Sequence, residues 1–233
     1  MLLLVALAAA AEPPDLTGAW RLVLDVATMA KIPVLGTTKI HTRQVMLVAV
    51  SRHPEGFRAH HDTCAFEADT QPSIATTEFP AAFIDAIPAK DYPIELKSTG
   101  SGWDAHMDLL PVPVGYDPQA GAFPTSLTAP AVTDWDRDGL PAATVRLHVP
   151  LFGAIDVYRA QTSRTILDGR VSSPDLLEGS ISVADLQQRT LGASNRLFIQ
   201  NPELQFDSEN SRFRLERVAA GTTCATVVAA STP

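Results

Sequence analysis

Cysteine is scarce in this sequence: Cys64 and Cys224 are the only two among 233 residues. Two thiols so far apart do not by themselves make a zinc site. They are either a disulfide, which an even count favours in an exported chain, or two unrelated buried thiols. If joined, they would tie the C-terminal tail to the first half of the fold and remove denatured-chain entropy worth roughly 5 kcal/mol in an idealised loop model. Positive charge is also in deficit, with 18 Lys and Arg against 26 Asp and Glu and a formal net charge of -8. Nucleic acid is therefore excluded as a partner, because phosphate neutralisation needs a basic stripe. No uncharged apolar run reaches the roughly 20 residues that carry a helix across a bilayer, so no membrane span is expected. Catalytic signatures are missing too: the chain has no HExxH, no GxSxG elbow, no P-loop and no GxGxxG opening a helix.

Ten apolar residues do stand at the start, Leu2 to Ala11, ending in small residues at Ala9 and Ala11. That pattern predicts a signal peptide over 1–11 with cleavage before Glu12, and so a periplasmic or extracellular protein. No Lys or Arg precedes the run, which leaves two alternatives: a start upstream of this Met, or an apolar N-terminal strand. No cysteine near the cleavage point would carry a lipid.

Helical periodicity is scarce. Ala81 to Ile87, opened by Pro80 and closed by Pro88, predicts one two-turn helix, and Val183 to Arg189, stopping before Gly192, a second. Elsewhere apolar and polar residues alternate in short runs bounded by Gly, Pro, Asn and Asp, the pattern of half-buried strands joined by turns. Trp20, Leu22 and Leu24 form one such face, Val45, Leu47 and Ala49 another, and Phe213, Leu215 and Arg217 a third. The expected fold is mainly β, a single antiparallel barrel or sandwich of about 8–10 strands with one or two short helices over 12–233.

The chain also matches itself. Ile32-Pro33-Val34-Leu35-Gly36 aligns with Val149-Pro150-Leu151-Phe152-Gly153, about half a chain-length away. Each copy follows a tryptophan (Trp20, Trp135) and precedes Ser-Arg (Ser51-Arg52, Ser163-Arg164) and then a glycine read as a turn (Gly56, Gly169). Such ordered matches predict two duplicated halves, about 15–110 and 131–218, with a Pro/Gly-rich connector over 111–130 and a tail over 219–233. Two half-sheets would close on one another, since closure removes exposed edges.

Candidate chemistry concentrates in Asp134-Trp135-Asp136-Arg137-Asp138-Gly139-Leu140. Three carboxylates at alternate positions converge when the backbone turns at the glycine, and hard oxygen ligands in that geometry suit calcium. Asp134, Asp136 and Asp138 would bind through their side chains and Leu140 through its carbonyl. Ala142 and Val145 fall where an EF-hand places its later ligands, and a strand pattern follows. The loop resembles the Asp-rich calcium loops that precede strands in exported bacterial β proteins; its alternative is a set of Asx turns without metal.

His60-His61-Asp62 is no chelate, because neighbouring residues on a strand point to opposite faces. Acid pairs such as Glu203 and Asp207 have no separation readable from sequence.

Gly18-Ala19-Trp20 on the first strand resembles the Gly-x-Trp that opens lipocalin barrels, and Thr133-Asp134-Trp135 echoes their later Thr-Asp-Tyr. The resemblance is confined to these two triplets. It implies a barrel with Trp20 closing the core, and a non-catalytic protein holding a small apolar molecule or lipid. A structural or interaction protein of the envelope or periplasm is the alternative, and an enzyme with an unfamiliar site is the third possibility.

Overall fold

A computed structural model describes residues 12–32, 36–73 and 75–230. The leader expected over 1–11 lies outside them. Ten strands form one antiparallel sheet: β1 (Gly18–Ile32), β2 (Gly36–His53), β3 (Gly56–Gln71), β4 (Thr76–Glu78), β5 (Lys90–Ser98), β6 (Trp103–Asp108), β7 (Ala143–Val149), β8 (Gly153–Ser173), β9 (Leu176–Ala193) and β10 (Glu203–Arg217). Two short helices accompany them, α1 (Ala81–Ala86) and α2 (Cys224–Ala229).

The sheet closes on itself. Pairings run β2-β1-β10-β9-β8-β6-β5-β3 and return through β2–β3, so every strand of this ring has two neighbours, although β9 and β10 pair only from Arg212↔Ser180 to Glu216↔Leu176. Two places in the ring are each filled by a pair of short strands. On β3, β5 pairs near the start (Phe57↔Ile94) and β4 near the end (Ala68↔Thr77). On β8, β7 pairs near the start (Val145↔Val157) and β6 near the end (Met107↔Leu167).

Side chains fill the ring's interior. Trp20, Leu22 and Leu24 face Val48, Met46 and Gln44 across β1–β2, and Phe213 and Leu215 stand opposite Leu24 and Leu22 on the other side. These residues join Phe57, Tyr92, Ile94, Met107, Leu167, Leu177 and Ile181 in one buried cluster. Trp20 has no exposed surface, and its indole N–H donates to the Leu16 carbonyl at 2.8 Å. The guanidinium of Arg217 lies 4.3 Å from the centre of its ring. At the other end Ala143, Val145, Ile155 and Val157 form a second cluster with Phe83 of α1, which packs between β3 and β7.

The interior face of β2 is Met46, Val48 and Val50, not the expected Val45, Leu47 and Ala49. Val45 is buried all the same, directly opposite Val23, on the face where α2 packs against β2 and β3. Helix α2 thus gives the outer side of β2 an apolar residue that mimics a core position.

The flanks of both matched Pro-containing segments pair with each other, Ile32 with Gly36 and Val149 with Gly153. Gly169 forms no turn. It lies within β8 opposite Gly179 of β9, where a Cβ on Gly179 would stand 2.2 Å from the Asp168 carbonyl oxygen, so the pair marks close backbone contact. The turn after β8 is made by Pro174 and Asp175, as Pro54 and Glu55 make the turn after β2. Val183 to Arg189 is strand, not helix: Val183, Ala184 and Gln187 to Arg189 pair with β8 on either side of a register shift, and the local apolar spacing yields to that ladder.

The connector over 111–130 packs on β8 and β9. Tyr116, Phe123 and Leu127 cluster with Tyr158, Ala160 and Leu191, the face of β8 opposite Val157.

Candidate metal centre

The connector leads into β7 through the Asp-rich loop, which is shaped by hydrogen bonds to its own carboxylates. The two oxygens of Asp134 accept from the backbone N–H groups of Asp138 and Gly139, both at 3.1 Å. Asp138 Oδ1 accepts from Leu140 N–H at 2.8 Å, and Asp136 Oδ2 from Thr144 N–H at 2.8 Å. Gly139 turns the chain at φ 88°, a left-handed conformation that glycine adopts without strain. Asp134 bridges to Ala142, with Trp135 N–H on the Ala142 carbonyl at 3.0 Å and Ala142 N–H on the Thr133 carbonyl at 2.7 Å.

Ligand-type oxygens of Asp134, Asp136 and Asp138 lie within 4.8 Å of one another, the one grouping of three or more such side chains among the described residues that could hold a metal ion. Asp134 and Asp138 are exposed, whereas Asp136 is only 5% exposed. Its Oδ1 is buried without a hydrogen-bond partner. Burial raises the Asp136 carboxyl above the usual carboxylate range, the Thr144 N–H opposes this, and the charges of Asp138 and Asp134 add to it. Leu140 sits at the turn with its N–H held by Asp138. Trp135, between two of the acids, packs edge-on to Phe83 with ring centres 5.4 Å apart.

The histidines disperse. His60 is exposed, with Nδ1 3.1 Å from an Asp91 oxygen, while His61 faces inward, 4% exposed, its ring centre 5.4 Å from that of Tyr92. Opposite faces for these neighbours follow from strand alternation, as expected. Burial pushes His61 down to about 4, outweighing the attraction of Asp62. His148 lies 2.6 Å from Glu78, and His41 3.6 Å from Asp25. Of the two acids considered as a pair, Glu203 faces Lys31 at 3.8 Å and Asp207 is engaged by Asn210.

One arrangement escaped sequence reasoning. His106 and Asp168 are direct partners across β6–β8, and their side chains meet at 2.6 Å in an open groove of about 660 Å³ with Asp104, Arg170 and Glu178. Only the register brings them together, since they lie on strands distant in the chain. The Ser180 hydroxyl donates to the Asp168 carbonyl at 3.3 Å rather than to the imidazole, so the three residues do not form a relay to a nucleophile. A second, smaller cleft of about 260 Å³ lies where β9 and β10 part, lined by Phe123, Leu186, Arg189, Pro202 and Leu204 among others.

Cys64 and Cys224 are joined, with Cα atoms 5.1 Å apart. Cys64 is the residue skipped where the β2–β3 register shifts between Val45/Ala65 and Met46/Thr63, so the bond leaves the sheet at a bulge and anchors the first residue of α2. No helix among the described residues is long and apolar enough to cross a membrane. No protein-family model, curated protein or solved structure matches this chain.

Proposed function

We propose that this protein is a non-catalytic barrel scaffold of the periplasm or extracellular space, working through its outer surface as a structural or interaction component. The supporting observation is the filled interior: Trp20, Tyr92, Phe213, Met46, Met107, Leu167, Leu177 and Ile181 all lie below 2% exposure within the ring. A carrier of small apolar molecules needs an enclosed apolar space of several hundred Å³. Two concavities among the described residues are instead open, and charged or polar side chains line much of both. The joined cysteines fit an oxidising compartment.

Arg159 favours a second reading. It stands opposite Ala143 of the second apolar cluster, its Nε is buried without a partner, and burial pushes its guanidinium down to about 10. Burial is the sole cause of that shift, with no carboxylate charge opposing it. An amphiphile with an anionic head would supply the missing charge. Native mass spectrometry of the protein purified without detergent separates the two readings. A scaffold gives the mass of the polypeptide, with or without metal ions. A stoichiometric carboxylate or phosphate amphiphile, lost in Arg159→Met, would overturn the scaffold reading.

A further inference from the structure

We propose that Asp134, Asp136 and Asp138 bind one calcium ion, which fixes the entry of the connector into β7. Two observations carry this independently. The first is the cluster itself, with carboxylate oxygens from all three residues within 4.8 Å. Oxygens on opposite sides of a calcium ion, each about 2.4 Å from it, are separated by about the same span. The second is Asp136. Its side chain is buried, one oxygen is held by Thr144 N–H, and the other has no partner. A buried carboxylate oxygen without a donor is costly, and a cation would satisfy it. Asx turns account for the bonds made by Asp134 and Asp138 but leave that oxygen unexplained.

The donor chemistry selects the metal class. All three side chains are hard oxygen donors without histidine or cysteine, which disfavours zinc and copper. Magnesium keeps most of its waters and demands a tight octahedron, whereas calcium accepts six to eight oxygens in adaptable geometry. The Leu140 carbonyl and water would complete the shell. With three charged ligands and no bidentate glutamate, affinity falls in the range of extracellular modules, about 10⁻⁴–10⁻³ M.

The site sits at a junction of the fold. Asp134 bridges to Ala142, Asp136 holds Thr144 of β7, and Trp135 is packed on Phe83. A bound ion therefore links the connector, β7 and, through Trp135, helix α1.

Titration of the full-length, disulfide-bonded protein with terbium, a luminescent calcium analogue excited through Trp135, tests this, together with thermal melts in millimolar calcium and in chelator. The expected results are sensitised emission displaced by calcium, a melting midpoint raised by calcium, and at least tenfold weaker binding in Asp136→Asn. Should Asp136→Asn fail to fold, Asp138→Asn, at an exposed position, carries the same expectation. Absence of both emission and midpoint shift in the wild type, or wild-type affinity in the variant measured, would overturn the site. Equal displacement of terbium by magnesium would overturn its assignment to calcium.

Discussion

His61 is the clearest case of a residue whose placement sets a measurable property. The buried imidazole is held neutral, with its folded value at about 4 against 6.5 for a free histidine. The unfolded chain therefore binds one more proton than the folded chain between these values. Stability from this group is complete above about pH 6.5 and is lost as pH falls toward about 4, to a total of about 3 kcal/mol. Urea unfolding at about pH 7 and about pH 4.5 should show this loss in the wild type and a shallower slope in His61→Leu. Identical slopes would mean that other groups carry the acid limb. Alternation alone told that His60 and His61 diverge; which of them faces the interior depended on the register of β3 against β2 and β5, which pairs His61 with Val48 and Lys90.

At the scale of elements, the most consequential unit is α2. Its six residues bury Val227 and are held by one covalent bond at the β3 bulge. Replacing both cysteines with alanine should lower stability by about 2–5 kcal/mol. Limited proteolysis should then cut the segment before α2 sooner than in the wild type. An unchanged melting midpoint and an unchanged cleavage pattern would show that packing alone holds α2. This helix also explains an error in the local reading: Val45 looks like a core residue because α2 covers it from outside. Helix α1 was legible, since two prolines bracket it and no ladder competes for its backbone. Val183 to Arg189 was not, because a long partner strand overrides a short helical pattern, and Gly169 misled because glycine marks close strand contact as readily as a turn. The Asp-rich loop stood out in sequence because its three acids are local. The orphaned oxygen of Asp136 did not, since burial under β7 is a tertiary fact.

Across the whole molecule, protection should be uneven. The part of β10 from Glu203 to Asp207 pairs with β1, while its pairing to β9 runs only from Arg212 to Glu216. Beyond that point Asn201 stands in for a strand, accepting from Thr190 N–H at 2.7 Å and donating to its carbonyl at 3.2 Å. Amide hydrogen exchange should be slowest where β1 meets β2 and β10 around Trp20 to Leu24, and faster along β9 from Leu186 to Arg189. Uniform exchange over both regions would contradict a ring that opens at this point. Strand alternation made the β class readable. Closure was expected because it removes exposed edges, but the strand order around the ring was not readable, because the β5–β6 and β4–β7 pairs enter between β3 and β8 through contacts far apart in the chain.

The bond between Cys64 and Cys224 has a mechanical meaning as well. It closes a covalent circle that contains part of β3 and all of β4 through β10. A tensile load applied at Glu12 and Ala230 passes through the sulfurs, not through that circle. Only β1, β2, the first residues of β3 and, at the other end, helix α2 can be drawn out, while the rest of the barrel is shielded from the pull.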